Sequence, residues 1–321
     1  MKVISLFDGI ACGRESLERV GIKVDTYYAS EINPYSIQIA LKNYPDIIEI
    51  GDVRNVDGRW YRDCDLLIGG SPCQNFSFAG KRNGATTKEN VEITTLEQYL
   101  DYKKRGFEFD GYSYLFWEYV RLLKEIKPKY FLLENVRMSK KWQDVITKTL
   151  GVEPIMINSA LVSAQNRHRL YWTNIKGITQ PEDKGLLLKD VLKDTYSEKE
   201  VLSELIQSRF QLTPNSKSTY GTTKPSFRTI GERDVVYGDN NKMGCLMATD
   251  YKQPKQVFHN GVLRKISPEE AELLQTLPEG YTSGISNTRR FECIGNCWTV
   301  DITAHIFSFI KTQEEDLEEA I

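Results

Sequence analysis

The chain has 321 residues, of which 40% are hydrophobic and 27% are charged, an ordinary balance for a globular protein long enough to bury a substantial core. Its 42 Lys and Arg against 44 Asp and Glu give a formal net charge of -2, so the overall charge gives no sign of a strongly basic nucleic-acid binder. The six cysteines include no CxxC pair, which argues against a disulfide framework and a zinc ribbon. We expect reduced thiols and no metal.

The sequence shows no targeting or membrane segment. The apolar run at the N-terminus meets Asp8 too early for a secretion signal. No later stretch reaches the roughly 18 to 20 apolar residues that a membrane helix requires. We therefore expect a soluble protein in the cytoplasm.

Through residue 175, short apolar runs alternate with helical patterns. The predicted strands are 2–7, 26–31, 47–53, 65–70, 129–136, 154–162 and 169–175. The predicted helices are 14–21, 34–44, 114–126 and a segment near 139–150. This alternation predicts an α/β fold of βαβ units, with a mostly parallel sheet that is covered on both faces. Ligands of such sheets bind at the carboxyl ends of the strands.

Two stretches break this rhythm. Residues 74–111 are polar and much longer than an ordinary connection, which is typical of a functional lid or a disordered insertion. From about 177 to 260 the periodicity weakens, and residues 205–265 contain ten Lys and Arg against four acids, a local charge of +6. We predict a catalytic and cofactor-binding domain at 1–176, a smaller domain at 177–262, and a segment at 263–321 that returns to the first domain.

The first candidate site follows the opening strand, in FDGIACG at 7–13. Two glycines four residues apart allow a tight turn and close approach of the backbone to a ligand. Glu31 and Asp52 stand at the ends of the next two predicted strands, where a carboxylate can accept hydrogen bonds from ribose hydroxyls. Because the pattern is not GxGxxG, an ordinary βα turn with N-capping acids explains it equally well.

Two further strand ends carry reactive side chains. Cys73 follows Pro72 in GGSPCQNFSFAGKR at 69–82, where a nucleophile can be both exposed and held in place. A buried structural thiol is the alternative. Glu134 ends the apolar strand LLENV, where desolvation can raise its pKa and suit it to donate a proton. Its alternative is an ion pair with a nearby Lys or Arg.

Taken together and in order, the motifs are far more specific than any one of them. FDGxxxG, GGSPCQ, ENV, QNRHR at 165–169, RKISPEEAELLQTLP at 264–278 and GNCW at 295–298 resemble the motif series of DNA cytosine-5 methyltransferases. The resemblance runs from Ser5 to about Phe309. It is closest to the catalytic domain of the animal de novo branch and its bacterial and phage relatives. It implies a Rossmann-like mixed sheet that binds S-adenosylmethionine, with a smaller target-recognition domain.

The resemblance implies a mechanism with four catalytic residues. The Cys73 thiolate adds to carbon 6 of cytosine, and Glu134 protonates or hydrogen-bonds N3. Arg167 and Arg169 match the paired arginines that orient Glu134 and the base. His168, which alternates to the other face of the strand, receives no role. S-adenosylmethionine then gives its methyl group to carbon 5.

The same resemblance implies a set of cofactor residues. Aromatic positions pack on the sulfonium, acids bind the ribose and adenine, and apolar positions flank the adenine ring. The residues that match are Phe7, Asp8, Gly9, Gly13, Glu31, Ile32, Asp52, Val53, Leu115, Asn296 and Trp298.

A duplex DNA substrate requires that the target cytosine be flipped out, because Cys73 cannot reach carbon 6 in a stacked helix. The loop after Cys73 and the basic segment are the expected DNA-contacting regions, through phosphates and the major groove. The candidate contacts are Gln74, Ser77, Lys81, Arg82, Arg228 and Arg233. Solvated loop charges are the alternative for these residues.

Two other functions are compatible with parts of the pattern. A tRNA-modifying branch of the same fold shares the catalytic Cys, Glu and Arg residues, but its signature after Pro-Cys is absent where Gln-Asn-Phe-Ser follows here. A catalytically dead binding homologue has no need of all four catalytic residues. The sequence therefore favours an active DNA methyltransferase, of a restriction-modification type, in a bacterial or phage-infected cell.

Overall fold

A computed structural model describes residues 1–72, 75–76, 84–213, 221–223 and 234–319. They form two compact units, the first comprising Met1–Ile157, His168–Thr179 and Ala304–Ile321, and the second Asn158–Arg167 and Gln180–Thr303. The break at residue 179 lies close to the predicted boundary at 176. Residues 263–303 pack within the second unit, whereas the sequence assigned them to a segment that returns to the first domain. The functional division of the chain stays a prediction.

The first unit contains a seven-stranded sheet in the order β3-β2-β1-β4-β5-β7-β6. Four neighbouring pairs, from β3 across to β5, are parallel, and β7 runs antiparallel to β5. The α/β prediction with a mostly parallel sheet is confirmed. The strands are β1 Lys2–Leu6, β2 Thr26–Ser30, β3 Ile48–Glu49, β4 Leu66–Gly70, β5 Tyr130–Val136, β6 Ile155–Asn158 and β7 His168–Thr173.

The helices of the first unit follow the strands as the alternation predicts. Asn33 caps the second helix by accepting a hydrogen bond from the Tyr35 N–H, and Pro34 supplies the fixed φ of a first helical residue. The fourth helix buries both Trp117 and Tyr119, as expected for a helix packed deep in a core. The helices are α1 Cys12–Arg19, α2 Pro34–Asn43, α3 Leu96–Lys104, α4 Phe116–Ile126 and α5 Lys140–Leu150.

Helix α3 gives a defined structure to part of the 74–111 insertion, for which the sequence left a functional lid and a disordered segment as alternatives. Thr95 and Gln98 form a reciprocal capping box at its start, a Thr-x-x-Gln signal that is present in the sequence. Leu96 and Tyr99, three residues apart, are both buried. The surrounding Lys, Glu and Asp residues gave the segment a polar average that concealed this short apolar face.

Two predicted strands are shorter than their apolar runs. The run at 47–53 forms only β3 and then a 3₁₀ turn, where the Asp52 carboxylate accepts a hydrogen bond from the Arg54 N–H. The run at 154–162 ends likewise, where the Asn158 side chain accepts from the Ala160 N–H. Side chains of this type bond to the backbone two residues ahead and turn it out of the strand.

The second unit contains a five-stranded sheet in the order β12-β11-β10-β9-β8. Only β10 and β11 are parallel, and the other neighbouring pairs are antiparallel. Its strands are β8 Phe210–Leu212, β9 Gly221–Thr223, β10 Val235–Gly238, β11 Gln256–His259 and β12 Val262–Lys265. The remaining helices are α6 Glu204–Gln207, α7 Pro268–Leu274, α8 Asn287–Asn296 and α9 Val300–Glu319, which crosses from the second unit into the first.

A buried apolar cluster explains why residues 263–303 pack in the second unit. Leu274 of α7 and Ile294 of α8 share this cluster with Tyr237 and Val257 of the sheet.

None of the helices among the described residues combines the length and apolar character needed to cross a bilayer.

A fully buried ion pair ties β12 to α7. The Arg264 guanidinium donates to both carboxylate oxygens of Glu270, at 2.6 and 2.8 Å, and to the Lys193 carbonyl oxygen at 3.1 Å. Glu270 also accepts hydrogen bonds from two backbone N–H groups. These contacts give Arg264 a structural role within the second unit.

We expect Glu270→Gln to lower the free energy of unfolding by about 3 kcal/mol, because the buried Arg264 charge loses its counter-ion. Glu292→Gln is the control, since its pair with Arg289 is partly exposed and should contribute less than about 1 kcal/mol. Urea unfolding followed by circular dichroism measures both variants. Equal losses in the two variants would contradict the assignment.

Candidate active site

The carboxyl ends of the parallel strands bring the predicted site residues of the first unit to one edge of the sheet. Phe7 follows β1, Glu31 follows β2, and Asp52 follows β3 after a short turn. Ser71 follows β4, and Glu134 lies near the end of β5. The sheet topology therefore confirms that these strand ends meet at one edge, as the alternation predicted.

The turn after β1 has an unusual backbone. Phe7, Gly9 and Ala11 have φ values of 58°, 64° and 61°, in the left-handed region that side chains disfavour. The Asp8 N–H donates to the Ser30 carbonyl oxygen at the end of β2. Left-handed backbone at two non-glycine residues is a strain that proteins typically retain at functional sites.

Glu31 is held rigidly at the end of β2. Its Oε2 accepts a hydrogen bond from the Gly9 N–H at 2.8 Å. Its Oε1 accepts from the N–H groups of Ile32 and Asn33 at 2.7 and 2.8 Å. A carboxylate has about four lone-pair positions, so this one can accept one further hydrogen bond.

The third strand end contains a paired acid and several apolar surfaces. The Arg54 Nε donates to both carboxylate oxygens of Asp52 at 3.0 Å, which lowers the pKa of Asp52 below its usual range. Val53 and Leu115 are buried, whereas the Ile32 side chain is 66% exposed. The Arg54 contact was not predicted, and the Asp-x-Arg spacing is its only sequence signal.

A group of carboxyls lies against the strained turn. The Tyr27 hydroxyl donates to Asp8 at 2.7 Å, and burial raises the pKa of Asp8 to about 6. Burial first, and then the charges of Asp8 and Glu31, raise the pKa of Glu49 to about 7. Among the described residues, none donates a hydrogen bond to the buried carboxylate oxygens of Glu49. Sequence reasoning missed Glu49, because an acid between two isoleucines is typical of an exposed strand position.

Glu134 and Arg169 form the central ion pair of the first unit. Residues Glu134 and Tyr171 are directly opposite in the β5–β7 register, and Val136 is opposite Arg169. This register places Arg169 diagonally across from Glu134 on the same face of the sheet. The Arg169 Nε lies 2.9 Å from Glu134 Oε1, and both side chains are largely buried.

The chain on the N-terminal side of Cys73 is fixed by the residue next to Glu134. The Asn135 side-chain amide donates to the carbonyl and hydroxyl oxygens of Ser71 at 3.2 and 3.1 Å. Cys73 itself and the predicted DNA contacts lie outside the described residues, and their roles stay predictions. These contacts are Gln74, Ser77, Lys81, Arg82, Arg228 and Arg233.

Arg167, Asn296 and Trp298 belong to the second unit. The Arg167 guanidinium is buried and donates to the carbonyl oxygens of Leu246 and Cys297, both at 2.8 Å. Asn296 ends α8 and is exposed, and Trp298 is half-buried. The QNRHR motif therefore contributes Arg167 to the second unit and Arg169 to the first. The catalytic role of Arg167 stays a prediction.

The glycine of GNCW has a packing role within the second unit. A Cβ atom at Gly295 would lie 2.2 Å from the Met247 carbonyl carbon and 2.3 Å from the Ala248 nitrogen. Only a glycine lets α8 approach this backbone so closely. This contact explains one position of a motif that the sequence connected with the cofactor.

We expect Glu49→Gln to become more stable relative to the wild type as the pH rises from 5 to 7.5. The folded protein keeps a proton on Glu49 up to about pH 7, whereas the unfolded chain releases it near pH 4.5, so the wild type loses stability through this window. The gain should be about 1–2 kcal/mol, because Glu49 as a whole residue is only half-buried although its carboxylate oxygens are covered.

Asp63→Asn is the control for this pH dependence. Its ion pair with Lys2 keeps the pKa of Asp63 below the usual value, so its titration is nearly complete at pH 5. Urea unfolding at several pH values should give a constant difference for Asp63→Asn. A constant difference for Glu49→Gln as well would show that Glu49 is ionised throughout.

Comparisons with known proteins agree with this arrangement. Residues 1–312 match the family described as C-5 cytosine-specific DNA methylase. The type II methyltransferase M1.ScrFI of Lactococcus lactis subsp. cremoris is 30% identical over an alignment 323 positions long. The alignment covers 92% of this chain and 74% of that protein. The orphan methyltransferase M.Rho11sI of Bacillus phage rho11s is 27% identical, covering 81% of this chain and 54% of the phage protein.

Solved structures support the same fold. A DNA modification methyltransferase encoded within an Escherichia coli prophage aligns with a TM-score of 0.68, over 97% of this chain and 99% of the other, at 18% identity. The strand order, the acids at the strand ends and the match over residues 1–312 lead to one conclusion. The chain belongs to the C-5 cytosine-specific DNA methylase family, and it is an S-adenosylmethionine-dependent DNA cytosine-5 methyltransferase.

Proposed function

We propose that Cys73, Glu134 and Arg169 perform the chemistry of cytosine-5 methylation in this chain. The observation that carries the proposal is the Glu134–Arg169 pair at 2.9 Å, on the strand next to the one that leads to Cys73. Arg169 fixes the carboxyl group of Glu134, which would hold or protonate N3 of cytosine. Arg167 is a second candidate for this role.

Cytosine carbon 5 is a poor nucleophile, and the proposed residues overcome this in two stages. The Cys73 thiolate forms a bond to carbon 6 while Glu134 provides a proton or hydrogen bond to N3, so that electron density moves to carbon 5. After carbon 5 is methylated, its proton passes to water, and the electron pair of that bond re-forms the carbon 5–carbon 6 double bond as the carbon 6–sulfur bond breaks. Glu134 takes back any proton that it gave to N3. The Cys73 thiolate departs with the bonding pair, and the aromatic ring is restored.

The first unit fits the cofactor that the family uses. S-adenosylmethionine supplies an electrophilic methyl group when bound. Glu31 has capacity for one more hydrogen bond, which suits a ribose hydroxyl, and the exposed Ile32 side chain offers an apolar surface for adenine. A Cβ atom at Gly9 would meet no other atom within 4 Å, so the backbone of the strained turn is open to a ligand.

The proposed partner is duplex DNA, contacted by the loop after Cys73 and by the basic segment at 205–265. Of the ten Lys and Arg in that segment, Arg264 and Lys255 are buried, and the other eight still outnumber the four acids, an excess of positive charge that favours binding to phosphates. The names of the relatives include type II and orphan phage methyltransferases. We therefore propose that this enzyme acts in the cytoplasm of a bacterial or phage-infected cell, beside a restriction enzyme or alone.

The purified protein should transfer labelled methyl groups from S-adenosylmethionine to cytosine in duplex DNA, and Cys73→Ala should abolish the transfer. DNA containing 5-fluorocytosine should trap the wild type as a covalent adduct, because its fluorine cannot leave as a proton does. Bisulfite sequencing of DNA from an expressing host would also identify the target sequence.

Two results would contradict this proposal. Equal or better labelling of tRNA than of duplex DNA would overturn the substrate. Methyl transfer by Cys73→Ala would overturn the covalent mechanism.

Glu134→Gln should lower kcat by about 10²- to 10⁴-fold, because it removes the proton donor. Arg169→Ala should lower kcat by about 10²-fold through loss of the charge that fixes Glu134. His168→Ala is the matched control, because its side chain is exposed and alternates to the other face of β7. Steady-state methyl-transfer rates measure all three variants, and a loss in His168→Ala equal to that in Arg169→Ala would refute the assignment.

A further inference from the structure

We propose that Asn75 is a positioning residue for the nucleophile, and that its contacts with Asp110 and Ser113 hold it in place. The inference rests on the proposed role of Cys73. Asn75 stands two residues after Cys73, and Ser71 stands two residues before it. With consecutive Cα atoms 3.8 Å apart, covalent geometry keeps the Cys73 Cα within about 7 Å of either neighbour. Whatever fixes both neighbours therefore restricts the nucleophile.

Asn75 is fixed from three directions. Its backbone N–H donates to the Ser113 hydroxyl at 2.9 Å, and its side-chain amide donates to the Asp110 carbonyl oxygen at 3.1 Å. Its own carbonyl oxygen accepts from the Gly84 N–H at 2.9 Å. Asn75 is only 6% exposed, so each of these bonds is made away from bulk water, where leaving a polar group unpaired is costly.

The side chain of Asn75 packs closely against the backbone of Gly111. A Cβ atom at Gly111 would lie 2.8 Å from the Asn75 side-chain nitrogen. Gly111 also has a φ of 62°, which a residue with a side chain rarely adopts. The chain at Gly111 thus passes directly against the Asn75 amide.

Phe76 and Gly84 share a second anchor on α5. Phe76 is buried and packs edge-on against the Trp142 ring, with centroids 5.5 Å apart. A Cβ atom at Gly84 would overlap the same indole, at 1.9 Å from its nearest atom. Trp142 thus contacts both Phe76 and Gly84, and the hydrogen bond from the Gly84 N–H to the Asn75 carbonyl oxygen connects the same two parts of the chain.

The groups that hold Asn75 are themselves fixed to the core. Ser113 is fully buried in the 3₁₀ turn that leads directly into α4. On α4, the buried Glu118 accepts from Tyr99 and Lys103 of the insertion and from Arg121 of its own helix. This buried acid ties α3 to α4. Asp110 and Ser113 therefore connect Asn75, on the C-terminal side of Cys73, to the core. Asn135 connects Ser71, on the N-terminal side, in the same way.

The test is Asn75→Ala, which removes the side-chain amide and leaves the backbone bonds of residue 75 in place. We expect kcat for duplex DNA methylation to fall about 10- to 100-fold, because small displacements of a reacting group have effects of this size. KM values for S-adenosylmethionine and DNA should change less than about 3-fold, since neither is bound by Asn75. Formation of the covalent adduct with 5-fluorocytosine DNA should slow by the same factor as kcat.

Ser113→Ala is the second variant, because it removes only the hydroxyl that accepts the Asn75 N–H, and it should give the same separation of kcat from KM. Thr95→Ala is the matched control. It removes the N-cap of α3 within the same insertion and should reduce stability without slowing adduct formation. Thermal unfolding of all variants identifies the assay temperature at which each is folded.

The outcomes distinguish this inference from the proposed function. Wild-type kcat in both Asn75→Ala and Ser113→Ala would overturn the positioning role while leaving the methyltransferase function intact. Equal kcat losses in Thr95→Ala would show a general effect of destabilisation and would overturn it as well. A wild-type protein without methyl transfer to DNA would overturn the proposed function, and this inference with it.

Discussion

The register of the antiparallel pair β5–β7 determines whether Glu134 and Arg169, the proposed catalytic pair, can meet. Because Val136 is opposite Arg169, the guanidinium reaches Glu134 from the diagonal position on the same face. A slip of one residue would turn Arg169 to the opposite face and bring His168 toward Glu134. The register is itself held by buried side chains on both strands, including Leu133 and Trp172, which are opposite each other in the core. The apolar pattern of β7 thus positions a charged group.

The parallel part of the sheet provides a different kind of control. It brings strand ends to one edge, and short hydrogen bonds between neighbouring ends then fix each group. Gly9 holds Glu31, and Asn135 holds Ser71, so adjacent strands support each other's functional residues. Three backbone N–H groups hold the Glu31 carboxylate, which leaves this side chain with few rotamers. A site built in this way is largely organised before a ligand binds, and organisation of that kind reduces the entropy lost on binding.

Sequence reasoning predicted the parts of the site that depend on strand order. Strand-end acids and the Glu134 position follow from hydrophobic periodicity, since a βαβ alternation leaves little choice about where strands end. Helix α3 was missed because its apolar face has few residues within a charged segment. Glu49 was missed because an alternating pattern states which residues share a face but not which face is buried. The anchors of Asn75 on Ser113 and Asp110 join residues 35 or more positions apart, and no local pattern encodes such contacts.

The two arginines of QNRHR show what the spacing of residues can and cannot predict about a site. Residues two apart share a face only while both belong to a strand, and β7 begins at His168, one residue after Arg167. Arg169 therefore obeys the alternation and faces Glu134, whereas Arg167 satisfies carbonyl oxygens of the second unit. The boundary between the compact units falls between them, with no linker residues. In this motif, Arg169 pairs with the charge of Glu134, and Arg167 binds carbonyl oxygens of the second unit. The sequence pattern identifies both arginines but does not show which of them makes which contact.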